Sequence, residues 1–171
     1  MTSQPVARTA PADRAERAEP RWLDADQQRL WRSYLDGTVR FVEALSRDHD
    51  ERSTLSLNEY ELLVRLSESP DHTLRMSALA DGLARSRSRV THTVARMEDR
   101  GLVRRSATSN DRRGVNCAMT TEGYAALVAS APAHVAAVRR FMVDVLTEEQ
   151  FRALGEAMAA VAEACKADHD I

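Results

Sequence analysis

Residues 77–119 read SALADGLARSRSRVTHTVARMEDRGLVRRSATSNDRRGVNCAM, a run with two helical patterns followed by two strand patterns. Ser77 can cap a helix running to about Leu83, with Ala78, Leu79 and Leu83 packing inward and Asp81 favouring its N-terminal half. Ala84-Arg85 breaks that helix. Ser86 then caps a second helix through Arg100, with Val90, Val94 and Met97 inward at helical spacing and Thr93 beside them. Gly101 is the residue able to adopt the left-handed conformation that ends it. Residues 102–106 and 115–119 read as two strands, and the polar residues 107–114 between them suit a hairpin loop. Helix, short turn, helix, β-hairpin is a winged helix-turn-helix, within a fold that is mainly α with a small β-hairpin wing.

On the N-terminal side, residues 22–54 hold one long helical pattern. Asp24 is its cap, and Leu30, Trp31, Tyr34, Leu35, Phe41, Val42 and Leu45 recur at three and four. Ser56-Leu57-Asn58-Glu59 has capping-box spacing and opens a helix that stops before Pro70, with Leu57, Tyr60, Leu63, Val64 and Leu66 inward. Leu74-Arg75-Met76 is short and extended. After the hairpin, Thr121 caps a fifth helix carrying Tyr124, Leu127, Val128, Val135, Val138 and Phe141 on one stripe, with Pro132 expected to bend it. Thr147-Glu148-Glu149-Gln150 is a second capping box and opens a sixth helix. The expected organisation is therefore an arm without regular structure over 1–21, an N-terminal dimerisation helix over 22–54, a winged helix-turn-helix over 55–120 and C-terminal dimerisation helices over 121–171.

The whole chain has 171 residues and a formal charge of -2, which taken alone argues against a nucleic-acid binder. The distribution reverses that inference. Residues 75–114 carry ten Arg against four acids, a net of +6, while 22–74 carry a net of -5 and 115–171 a net of -4. The basic block coincides with the winged helix. A helix of this length fits the major groove, where an Arg can bridge guanine's two acceptors and Ser or Thr can touch bases or phosphates. Arg87, Ser88, Arg89, Thr91 and His92 fall on its open side with Ala95, and the amides at the Ser86 end add attraction for phosphate. Arg75 is placed to reach a phosphate. Adjacent Arg112 and Arg113 in the hairpin loop can enter the narrow minor groove.

These residues show a family. Gly101-Leu102-Val103-Arg104-Arg105, then Asp111-Arg112-Arg113-Gly114, then Met119-Thr120-Thr121-Glu122-Gly123 closely resemble the "G-L-V-x-R", "D-x-R" and "L-T-x-x-G" pattern of the multiple antibiotic resistance regulator (MarR) family of bacterial transcription factors. Met119 departs from the usual Leu, a conservative change. The resemblance covers roughly residues 22–168. It implies a homodimer in which the first, fifth and sixth helices interleave with a partner's, a pseudo-palindromic operator read at half-sites about 10 base pairs apart or a multiple of that, and repression released by a small effector, of which a small aromatic or phenolic molecule is the expected class. It places Asp111 as the residue that steadies the wing, Arg113 at the minor groove with Arg112 able to contact phosphate instead, and Trp22, Trp31, Tyr34 and Tyr60 either in the effector crevice or, equally, as core aromatics at helical spacing. The long apolar stripes of the first and last two helices, too extensive for one winged helix to bury, agree with a partner.

Other functions are disfavoured. The chain has no phosphate loop, no nucleophile elbow and no Cys-His pair in register, so an enzyme is not expected. The five His are scattered, and His134 on the fifth helix lacks a partner at three or four residues, so neither metal nor other cofactor is expected. Cys117, in a strand, and Cys165, on an apolar stripe, read as packing residues. Of Arg104 and Arg105, on opposite strand faces, one is expected only to pair with an acid. No apolar run approaches the roughly 20 residues that span a bilayer, and residues 1–21 lack a signal-peptide core, so a bacterial cytoplasmic, nucleoid-associated location is expected. The competing class is an interaction module that kept this fold without DNA binding; it predicts loss of Arg and small polar residues from the recognition helix, and they are present.

Overall fold

The computed structural model describes residues 19–108 and 111–169, with backbone alone for Asp111, Arg112, Arg113 and residues 167–169. The arm expected over 1–21 falls outside the described residues apart from Glu19, Pro20 and Arg21. The chain forms two compact units, Met1–Asp36 and Gly37–Ile171. Helix α1 (Ala25–Arg52) begins in the first of them. Asp24 caps it through a reciprocal pair: the Gln27 amide donates to Asp24 Oδ1 at 2.8 Å, and the Asp24 amide donates to Gln27 Oε1 at 3.1 Å. Within this unit Trp31 and Tyr34 stack on one another, ring centres 5.7 Å apart, and both are exposed.

The larger unit contains the end of α1, then α2 (Leu57–Ser67), β1 (Thr73–Arg75), α3 (Met76–Gly82), α4 (Arg87–Asp99), β2 (Val103–Thr108), β3 (Asp111–Met119), α5 (Thr121–Val138) and α6 (Glu148–His169). The capping box at the start of α2 is present, with Ser56 and Glu59 bonded in both directions. Thr147 and Gln150 repeat it before α6. One core gathers Leu55, Tyr60, Leu62, Leu63 and Leu66 with Leu79, Val90, Val94, Met97, Val103, Cys117 and Leu127. A second, smaller cluster joins Leu45, Leu57 and Ala137.

Several local expectations are corrected. The sheet has three strands, ordered β1-β3-β2, because Thr73–Arg75 pairs antiparallel with β3, Leu74 opposite Cys117. Helix α3 starts at Met76 with Arg75 in the capping position and no side-chain cap, so Ser77 caps nothing. Leu79 is buried and Leu83 packs against the core as expected, but Ala80 is buried and Ala78, expected inward, is exposed. The hairpin loop is shorter than expected: β2 runs to Thr108 and β3 begins at Asp111, with an irregular register at Ala107/Thr108. Thr120 caps α5, accepting from the Gly123 amide at 3.0 Å, and Thr121 is its first residue. Helix α5 contains Pro132 and passes at Arg139–Val143 into a π-helical turn. Cys165 is exposed rather than packed.

Two helix ends share one device. After α4, the Gly101 amide donates to Glu98 and the Leu102 amide to Met97, both at 2.9 Å, with Gly101 at φ +73°. After α3, the Ala84 amide donates to Asp81 at 3.0 Å and the Arg85 amide to Ala80 at 3.1 Å, with Ala84 at φ +49°. Both are Schellman motifs, in which the residue past the cap must turn left-handed to satisfy the last carbonyls. This is what ends α3 sharply enough for α4 to leave at a new angle.

Candidate nucleic-acid interface

Helix α4 is held by its apolar seam. Val90, Val94 and Met97 are completely or almost completely buried, and Ser86 accepts from the Arg89 amide at 3.4 Å to cap the helix. The opposite side is open: Arg87, Ser88, Arg89, Thr91 and His92 are all exposed, and Ala95 is half-buried. The first turn of α4 contains no acid, so the amides and guanidiniums there present positive charge without an internal counter-ion. Ser88, Arg89 and His92 face a groove of about 470 Å³ whose other lining residues include Asn58 and Leu62 of α2. Thr91 donates to the Arg87 carbonyl at 2.8 Å, which commits its hydroxyl hydrogen and leaves the oxygen able to accept. Arg75 is exposed at the junction of β1 and α3.

The motifs of the sequence meet in space. Thr120 donates to the Gly101 carbonyl at 2.7 Å and lies 3.0 Å from that of Leu102. A Cβ on Gly123 would stand 2.0 Å from the Leu102 carbonyl oxygen. The glycine of the third motif is thus required by the backbone of the first, and together they lock the end of α4 to the start of α5 across the sheet. The last Arg of the first motif, Arg105, pairs with Glu98: its amide and Nε each donate at 2.7 Å to a different carboxylate oxygen. These bonds hold the Glu98 carboxyl below its ordinary value. Arg105 is therefore the strand Arg that pairs with an acid, and Arg104 is exposed. Cys117, directly opposite Arg105 in the sheet, is buried, and burial first, then the Glu98 charge, push its thiol up to about 12. Side chains of Asp111, Arg112 and Arg113 lie outside the described residues.

The remaining candidates separate. Tyr60 is buried and packs on His49 and His134, ring centres 5.0 Å and 4.3 Å away, and burial raises its phenol. Trp31 and Tyr34 belong to the other unit. His134 has no histidine three or four residues away on its own helix, but it meets one from α1: His49 Nε2 lies 3.0 Å from its Nδ1. Near them Ser53 donates to Ser130 at 2.9 Å, and the buried Asp48 takes a guanidinium bond from Arg140. Sequence reading missed this polar cluster, as it missed Arg85 bonding Glu61 and Arg100 bonding Glu59. Only the Glu59 capping box carried a local signal. Among the described residues no group of three or more His, Cys, Asp or Glu is gathered to hold a metal, and no helix is long and apolar enough to cross a membrane.

A buried-seam helix, an open basic face and a three-stranded sheet behind it define a winged helix-turn-helix protein. Residues 55–115 match the MarR family model. The chain is 44% identical to Sco3205, a MarR family transcriptional regulator of Streptomyces coelicolor solved in complex with DNA, over 85% of this chain and 91% of that one, with a TM-score of 0.81. It is 38% identical to AbsC, another MarR family regulator of that organism, over 86% and 99% of the two chains, with a TM-score of 0.79. To the transcriptional regulator HosA of Escherichia coli it is 27% identical over 110 residues, 64% of this chain and 80% of that protein. The chain belongs to the MarR family of transcriptional regulators.

Proposed function

We propose that this regulator binds double-stranded DNA sequence-specifically as a homodimer, reading a pseudo-palindromic operator, and that it is a repressor released by a small effector in the bacterial cytoplasm, where it associates with the nucleoid. The observation that carries the reading is the seating of α4: Val90, Val94 and Met97 turned into the core, Arg87, Ser88, Arg89, Thr91 and His92 turned out. Ser86 and its neighbouring amides add a phosphate site at the helix start, and Arg75, Arg112 and Arg113 extend the contacts to the backbone and minor groove, with Asp111 steadying the wing. The DNA complex of the 44% identical Sco3205 supports this reading. The acidic flanks repel DNA while the basic lobe meets it, which fixes the docking side.

A dimer is supported by the apolar faces that the single chain leaves exposed: Leu30, Leu35, Val39 and Val42 on α1, Tyr124, Val128 and Val135 on α5, Phe151 and Val161 on α6. For the effector, a small aromatic or phenolic molecule, a second open groove of about 470 Å³ is lined by Val64, Arg65, Leu83 and His134; Tyr60 packs against that histidine, while Trp31 and Tyr34 offer a stacked aromatic pair on α1.

Gel shifts at several salt concentrations test the DNA reading. Arg113→Ala should weaken binding to all sequences and lower the salt slope by about one. Arg87→Ala and Arg89→Ala should relax base preference instead. No effect from any of the three sinks the docking model. Footprinting DNA beside the protein's own gene locates the operator, and adding phenols or aromatic acids to the same assay tests release.

A further inference from the structure

The recognition helix is pinned to α2 at both ends. Before its first turn, Arg85 Nη2 reaches Glu61 Oε2 at 2.7 Å. At its last cap, Arg100 Nη1 lies 3.1 Å from each oxygen of Glu59, and Arg100 Nη2 donates to the Thr54 carbonyl at 2.8 Å. The two carboxylates are separated by a single residue, Tyr60, which is buried against His49 and His134. Between the pins, α4 meets the core through the apolar Val90, Val94 and Met97, and Glu98 ties its last turn to β2 through Arg105. Apolar packing is non-directional and fixes how deep a helix sits, but resists rotation and sliding weakly. Arg–carboxylate bonds are directional and fix orientation.

The pins differ in burial. Glu59 is buried, whereas the Arg85 and Glu61 side chains are 29% and 40% exposed. An ion pair that open to water adds little to folding. Its geometric consequence is larger, because base edges are read by bidentate contacts that tolerate little displacement.

We propose that Glu59 and Glu61 are positioning residues for DNA reading, setting the tilt and register of α4 from α2 without touching DNA. The proposal rests on the DNA-binding reading above. It also implies that Arg85, freed from Glu61, becomes an additional phosphate-seeking cation.

The test uses the full chain, a duplex that the unchanged protein selects from a random-sequence pool, and poly(dI-dC) as non-specific DNA. For Glu61→Gln the preference for the selected duplex should fall about tenfold, with the thermal midpoint unchanged and poly(dI-dC) binding equal or stronger. Arg100→Lys should lower the same preference through Glu59; if it unfolds, Glu59→Gln, which preserves the capping box with Ser56, is scored in its place. A merely structural loss reduces active protein and weakens both DNAs alike, so it leaves the preference where it was. Preference held within about twofold in the variant at either pin overturns the assignment of that residue. If the unchanged protein selects no sequence at all, the DNA-reading function falls, and the proposal with it.

Discussion

His49 and His134, 85 positions apart in the chain, meet through Nε2 and Nδ1 at 3.0 Å, while His49 Nδ1 lies 3.2 Å from the Leu55 carbonyl. The carbonyl can only accept, so His49 Nδ1 carries the hydrogen; a ring with one hydrogen then accepts at Nε2, and His134 Nδ1 donates. One backbone oxygen thus sets the tautomer of two rings on two helices.

Stability should therefore depend on pH. Burial first, and the neighbouring His49 second, hold His134 below its ordinary value of 6.5. The unfolded chain takes up a proton at that ordinary value and the folded chain only at lower pH. The stability the neutral ring contributes is complete above 6.5 and is lost as pH falls from there through the folded value. Thermal unfolding followed from about pH 7.5 to about pH 5.5 should show a falling midpoint. His134→Asn should flatten that dependence; an unchanged slope in this variant removes the pair from the account.

What could be read from the sequence, and what could not, divides by distance along the chain. The boxes at Ser56/Glu59 and Thr147/Gln150 and the left-handed Gly101 were legible because both partners lie within a few residues. The open basic face of α4 was legible because Val90, Val94 and Met97 keep helical period. At Thr73–Arg75 only a short extended stretch was legible, since three residues carry no periodicity and become a strand only because β3 offers them an edge. Ser77 resembles a cap by type, yet Arg75 occupies the capping position because β1 delivers the chain to the helix two residues earlier. His49–His134, Arg140–Asp48 and the two pins on α2 join distant segments, and no local pattern announces them.

Ala84 offers a gain in stability. It occupies at φ +49° the position that Gly101 fills after the next helix. A left-handed alanine costs about 1–2 kcal/mol, and glycine's greater freedom in the unfolded chain returns about 0.5–1 kcal/mol of that. Ala84→Gly should stabilise the protein by about 0.5–1 kcal/mol, read as a higher urea midpoint with an unchanged slope. A lower midpoint contradicts the strain assigned to this turn.

Gly123 permits no such freedom. An added Cβ meets the backbone oxygen of Leu102 at 2.0 Å and that carbonyl's carbon at 3.0 Å, and backbone cannot swing aside as a side-chain tip can. Gly123→Ala should cost about 3 kcal/mol, at the upper end of overpacking effects, and should loosen the junction of β2 with α5. Urea unfolding measures the loss, and hydrogen exchange at the Thr120 and Gly123 amides should quicken with it. A change under about 0.5 kcal/mol, the size of ordinary surface substitutions, is incompatible with this contact.

Val128 and Val135 are seven residues apart on α5, so they share a face, and each is 54% exposed in the single chain. On a monomer, one exposed valine changed to an acid alters stability by no more than about 0.5 kcal/mol. Buried in a dimer the same change places an unpaired carboxylate, twice by symmetry, in an apolar seam. If the protein is the proposed dimer, Val128→Glu should therefore shift it to monomer in light scattering behind size exclusion, and weaken operator binding because two half-sites are no longer engaged together. Glu156→Gln, an exposed change on α6, serves as the control and should leave the mass unchanged. If Val128→Glu remains a dimer of wild-type stability, this face of α5 lies outside the interface, and the apolar residues of α1 and α6 must carry it.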